Sequence, residues 1–316
     1  MTVEETAQTA KTEELHGGGA AGARRRTPID PVLFIRSDRK GLRQLALHAC
    51  LLAATGLVLG FSTGTPWLLP AMALHGVVLV FLFSPLHECI HRTAFESRWI
   101  NDAVASGCGF LLLLPKEYFR AFHLTHHQHT QDPQHDPELL APKPASPGDY
   151  LLHLSGLPYW RERIGTLMRH AAGVVNEPFV AERLRIVMVR EARWHLALYA
   201  AAGIISVYAN SSTLLIYWIL PAVIGQPFLR AFLLAEHTGC PLVTDMLKNS
   251  RTTNTNRLAK TLAWNMPCHA EHHAYAAIPF HALPQAHEIL KDRIEHQSRG
   301  YLGVHRDLWR GFQSTA

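Results

Sequence analysis

Nine of the chain's 21 histidines stand in patterns that can grip metal ions. The first pair is His87 and His91, in His87-Glu88-Cys89-Ile90-His91. At i and i+4 the two imidazoles share one helix face and can reach one ion. The second group is His123, His126 and His127, and the third is His269, His272 and His273, each an H-x-x-H-H run. In such a run the i+3 and i+4 side chains diverge by about 100° around the helix and can serve two ions. A lone His237 follows Glu236. At this histidine content one H-x-x-H-H string would arise by accident in roughly one chain in ten, and two in well under one in a hundred.

Imidazole suits zinc, copper, iron and nickel. A zinc site normally stops at three or four protein ligands, so eight or nine clustered histidines imply two metals with four or five nitrogens each. Neutral ligands leave such a pair strongly cationic, and nearby carboxylates are expected to offset the charge and fix the ring tautomers. Glu88, Glu236, Glu271, Asp132 and Asp136 are adjacent; each fits that role or a solvated surface equally well.

The elements that position these residues are apolar. No Lys, Arg, Asp or Glu occurs between Arg43 and His87, or between Arg193 and Arg230. A spanning helix needs about 20 apolar residues, and both gaps are long enough for two. The first hydrophobic segment runs over 45–61 and, after the turn Ser62-Thr63-Gly64-Thr65-Pro66, the second over 67–86. A third stretch, 104–114, is too short to span and reads as interfacial or re-entrant. The fourth covers 194–208 and, after Ala209-Asn210-Ser211-Ser212, the fifth runs over 213–235, broken by Pro221, Gly225 and Pro227. The expected fold is all-α and membrane-embedded: four transmembrane helices in two hairpins, with a helical cap carrying the histidines. All 30 basic residues lie outside the two short turns. The positive-inside rule then places both termini, the large loops and every histidine cluster on the cytoplasmic side, in the inner membrane if the source is bacterial. Residues 1–27, polar and ending in Arg24-Arg25-Arg26, read as a disordered cytoplasmic tail, with one domain over 28–316.

His87xxxHis91, His123xxHis126His127 and His269xxHis272His273, with the lone His237 upstream of the last, resemble the membrane fatty-acid desaturase/hydroxylase superfamily over about residues 40–300. The resemblance implies three histidine boxes, four transmembrane helices and a cytoplasmic non-haem di-iron site. It implies two iron ions as cofactor and O2 as co-substrate. The chemistry is hydrogen abstraction from an unactivated C–H of a fatty-acyl or other lipid-like substrate. Loss of a second hydrogen gives a double bond; hydroxyl rebound gives an alcohol. In the acyl-CoA branch an Asn one turn before the lone histidine reaches a metal through water. Here that position is Leu233, and Asn265, four residues before His269, is the candidate replacement.

The same boxes would serve a carotenoid hydroxylase or ketolase, or a tailoring enzyme for a specialised metabolite. A metal transporter would place ligands near the bilayer midplane, whereas these stand at helix ends and in loops. No CxxCH, dinucleotide fingerprint or four-cysteine cluster is present, so an oxygenase would draw electrons from a separate ferredoxin, rubredoxin or cytochrome b5. The net charge of +5 is ascribed to the cytoplasmic membrane face and not to nucleic acid.

Among the other residues, Cys89 and Cys268 read as small packing residues. His129 and His135 are candidates for the metal surroundings or substrate entry. His48 and His75 fit either a polar pathway or hydrogen-bonded packing. His153, His170, His195, His281, His287, His296 and His305 read as surface or interfacial. Trp160, Trp194 and Trp218 read as interfacial anchors, and residues 161–193 as one amphipathic helix on the membrane.

Overall fold

A computed structural model describes residues 28–314; the tail expected over 1–27 lies outside them. The Ser37 hydroxyl accepts the Lys40 N–H and starts α1 (Asp38–Phe61), with Asp38 at the positive end of the helix dipole. After a turn at Gly64 (φ 77°), α2 (Leu68–Val80) and α3 (Phe83–His91) form one apolar run with a jog at Phe81–Leu82. Pro85 sits in the first turn of α3, where its missing N–H costs nothing. α4 (Arg98–Leu111), α5 (Lys116–His129), α6 (Pro147–Leu154) and α7 (Leu157–Ala171) follow, then α8 (Glu182–Tyr208). A π-helical turn (Leu215–Ile219) leads into α9 (Leu220–His237). The last part holds α10 (Met246–Asn249), β1 (Arg251–Asn254), α11 (Arg257–Leu262), α12 (His269–Ala274), α13 (Leu283–Leu290), β2 (His296–Arg299) and α14 (Tyr301–Ser314).

Among the described residues, three helices are long and apolar enough to cross a membrane: Asp38–Phe61, Leu68–His91 and Leu215–His237, with mean hydropathies of 1.7, 2.0 and 1.5. α8 is 27 residues long, but its first half carries charge and only 194–208 is apolar, so it does not meet the same standard. The second and third spans end on His91 and His237, so ligand candidates stand at the ends of two apolar helices.

The two histidine-bearing spans meet at glycines. A Cβ on Gly76 would lie 2.1 Å from the Pro221 carbonyl oxygen, and one on Gly225 2.3 Å from that of Gly76. Only residues without a side chain allow backbones this close, as is common where membrane helices cross. Gly225, which looks like a mere interruption in the apolar run, is thus a contact residue.

Several expectations are corrected. The fold is mostly helical but not all-α: β1 and β2 pair in parallel with Arg251 opposite His296. The single amphipathic helix expected over 161–193 is two, α7 and α8, separated at Gly173 (φ 91°). Glu177 fastens the link, accepting from His170 at 3.1 Å and Arg169 at 3.2 Å. Against the cost of burial, those two partners pull its carboxyl down to about 2. Trp218 is no simple membrane anchor. Its indole donates to the Leu111 carbonyl at 2.8 Å, while Tyr199 donates to Phe110 at 2.7 Å and Tyr159 to Leu112 at 3.3 Å. Side chains from three elements thus satisfy the carbonyls that a helix end leaves open, and α4 stops inside the protein. His48 and His75 are packing groups: His48 bonds the Val78 carbonyl at 3.0 Å, and His75 bridges Thr55 and the Tyr217 carbonyl. His170, His195, His287 and His305 are buried or half-buried and bonded, not surface groups. The described cysteines are all free thiols; Cys89 and Cys268 are buried in apolar clusters.

Candidate metal centre

The site is assembled from four places in the chain. The last two turns of α3 present His87 and His91, and α5 presents His123, His126 and His127. α9 ends on His237, and α12 carries His269, His272 and His273. α5 is set by a distant residue: Glu191 of α8 accepts the Lys116 and Glu117 N–H groups at 3.0 Å each, capping the helix in place of a local side chain. α12 is held through Glu271, which accepts from Thr252 of β1 and bonds His287 of α13. The small sheet therefore positions the third box.

The nine imidazoles converge into two groups. His87, His91, His123, His127 and His272 have one ring nitrogen each within 4.8 Å of one another, and so do His126, His237 and His273. His269 joins the second group through its Nε2, 2.9 Å from His237 Nε2. Nitrogens of His123 and His127 are 3.0 Å apart, and those of His126 and His237 3.2 Å. Two nitrogens at right angles on an ion, each about 2.1 Å from it, stand about 3.0 Å apart. Other buried ring nitrogens have no protein partner: His87 Nδ1, His91 Nε2, His127 Nδ1, His273 Nε2 and both nitrogens of His272. Buried imidazole nitrogens without a protein partner in rings that converge fit metal ligands, because an unpaired buried polar atom otherwise costs about 1–3 kcal/mol.

Electrostatics favour neutral rings. Burial first, and neighbouring imidazoles second, hold His123, His127, His269, His272 and His273 below the ordinary histidine range. Neutral rings keep the lone pairs that a metal needs. His126 is the exception: burial is outweighed by Glu138 and by the hydrogen-bonded Asp136, which raise it.

The outer partners differ from a reading by adjacency. Asp136 grips His126 Nδ1 at 2.8 Å, as expected of a carboxylate that orients a ligand. Glu236 stands 3.3 Å from His269 Nδ1. Glu88 lies elsewhere, accepting from Thr93 at 2.8 Å and the Phe280 N–H at 3.2 Å, and Glu271 serves Thr252 and His287. Asp132 is outside the site, paired with exposed His135 at 2.7 Å. With His129 these two form a separate surface group. Asn265 donates its amide to the Phe280 carbonyl at 3.0 Å and belongs to neither imidazole group. Sequence reasoning missed Thr130, whose hydroxyl meets His273 Nδ1 at 3.1 Å, and Asn249, whose carbonyl meets His237 Nδ1 at 3.1 Å. Neither sits in a motif, and nothing in the sequence singles them out.

A cavity of about 470 Å³ opens against His87, His123, His237 and His269, walled by Phe83, Phe119, Phe122, Phe179 and Phe232. This size suits a small organic ligand, and the aromatic wall suits an apolar one.

Comparisons with known proteins agree with this geometry. Two curated relatives are each named sn-1 oleoyl-lipid 12-desaturase. The one from Picosynechococcus sp. is 24% identical over 251 residues, covering 72% of this chain and 70% of the relative. The one from Synechocystis sp. is 24% identical over 235 residues, covering 69% and 66%. The fatty acid desaturase family matches across residues 64–304, which takes in every box and the lone histidine. With clusters of buried imidazoles at the ends of apolar helices and this family match over most of its length, the chain belongs to the fatty acid desaturase family and is an oxidoreductase of membranes.

Proposed function

We propose that this protein is a membrane di-iron oxygenase that uses O2 to desaturate or hydroxylate an unactivated C–H in a fatty-acyl or other lipid-like substrate. The observation that carries the reading is the meeting of two groups of buried imidazoles with an aromatic cavity. His87, His91, His123, His127 and His272 would hold one iron, and His126, His237, His269 and His273 the other. Two irons so held supply the O2-activating power needed to remove a hydrogen from an alkyl chain.

The protein's own groups do the rest. Asp136, Thr130 and the Asn249 carbonyl hold His126, His273 and His237 in orientation. Phe83, Phe119 and Phe232 exclude water and keep an alkyl chain against the imidazoles. Glu138, 3.9 Å from His126 Nε2, puts negative charge beside a cationic centre. Electrons come from a separate ferredoxin, rubredoxin or cytochrome b5 type donor.

In this reading the chain crosses the bilayer four times. α8 is the third crossing, since 27 residues extend about 40 Å, and the histidines face the cytoplasm with both termini. The family's lipid desaturases support a lipid substrate. Expression in a lipid-producing host with a matched donor, followed by mass spectrometry of extracted lipids, separates a new double bond from a new hydroxyl, including on carotenoids. Metal analysis of the same protein should find two tightly bound irons. Readily exchanged zinc with no oxidised lipid would sink the reading.

A further inference from the structure

We propose that the cavity is built for an amphiphile with an anionic end, anchored by Arg230 with Arg163 beside it, while its apolar chain runs to the histidines. This rests on the reading of the site as one that takes a lipid-like substrate. Arg230 lies within the apolar span Leu215–His237, where an ionisable group is costly and marks function. A guanidinium withdrawn from water needs an anion or acceptors. Among the described residues Arg230 has no carboxylate within ion-pair distance. Its Nε is buried without a hydrogen-bond partner, and its contact is the face of the Tyr159 ring at 4.4 Å.

None of the four cavity carboxylates is within ion-pair distance of Arg230, and Glu138 stands 3.9 Å from His126 Nε2. Glu162 pairs with Arg163, Glu177 with Arg169, and Glu236 stands by His269. Arg163 is itself more than nine-tenths buried, donates to the Tyr118 hydroxyl at 3.1 Å, and leaves its own Nε unpartnered. Both arginines line the same cavity as His87 and His237. Arg163 is already paired with Glu162, so the uncompensated charge is that of Arg230, and the planar fork of Arg suits carboxylate or phosphate.

Spacing supports the same occupant. Arg230 precedes His237 by seven residues of α9, which is two turns on one face and about 10 Å along the axis. Phe232 and Leu233 line the cavity between them. A headgroup at Arg230 therefore leaves a length of apolar chain before the histidines, whereas a neutral lipid would leave the guanidinium bare.

The test is binding by the purified full-length protein in neutral detergent, read without turnover. Palmitate, hexadecyl phosphate and methyl palmitate are the probes. At least one anion should bind about tenfold or more tightly than the ester, as a charge-assisted contact implies. A larger gain with hexadecyl phosphate assigns a phosphate headgroup, and a larger gain with palmitate a free acid. Arg230→Gln should erase the preference while methyl palmitate binds as before, and Arg230→Lys should retain part of it. Equal binding of ester and both anions by the unaltered protein overturns the proposal, as does a preference that survives in Arg230→Gln. Absence of any anion preference in unaltered protein that carries two irons and oxidises lipid overturns the anchor alone. Anion preference without any oxidised product overturns the oxygenase reading alone.

Discussion

The two imidazole groups are held in different ways. In the second, three rings are tied to the protein, His126 to Asp136, His237 to the Asn249 carbonyl and His273 to Thr130, while Glu236 stands 3.3 Å from a His269 Nδ1 that makes no hydrogen bond. In the first, His87, His91 and His127 each leave a buried nitrogen unpartnered, and His272 leaves both. The rings pack on one another in both groups, with centroids of His87 and His123 4.3 Å apart in the first and those of His269 and His273 4.4 Å apart in the second. Most rings of the second group are oriented by protein partners. The first is oriented mainly by helix placement.

That contrast can be broken or sharpened by substitution. The largest effect belongs to the untethered group: His272→Ala or His127→Ala should abolish lipid oxidation, with the protein still extracted from membranes as a folded species. Near-normal product formation in either variant would remove these residues from the ligand set. Asp136→Asn should weaken metal retention by about 10–100-fold, and the loss should fall on one iron of the proposed pair. If both irons leave together, the two groups are not independently oriented. Gly225→Ala should cost about 1–3 kcal/mol by overpacking, seen as a lower unfolding temperature in detergent. His135→Ala, which alters only the exposed group with Asp132 and His129, should leave stability within about 0.5 kcal/mol and the iron content unchanged. Loss of iron there would join the surface group to the centre.

Much of this centre was legible in the sequence because helical spacing is local information. The i, i+4 and i, i+3, i+4 patterns place His87 with His91, and His123 with His127, on single helix faces before any tertiary contact is known. The ends of the apolar runs at His91 and His237 were equally plain. The partition of nine rings into two groups was not, since it depends on how α3, α5, α9 and α12 meet. Partners such as Thr130 and Asn249 act through one hydroxyl or one carbonyl, and composition cannot mark them. Adjacency misled for Glu88 and Glu271, which face away from the ring nitrogens and brace the surrounding chain. The parallel pairing of 251–254 with 296–299 escaped because each strand is only four residues long and neither alternates cleanly.

The glycine crossing gives the centre a mechanical character. Gly76 and Gly225 mark the crossing, and the histidine-bearing ends at His87 and His237 lie eleven and twelve residues along, or about 16 and 18 Å at 1.5 Å per residue. A tilt of about 5° at the crossing moves a point that far along by roughly 1.5 Å, less whatever the jog at Phe81–Leu82 and the break at Pro227 absorb, and displacements of that order can cost about 100-fold in rate. A change in bilayer thickness or lateral pressure that alters the scissor angle would therefore reach the histidines as a change in their separation, without touching a single ligand.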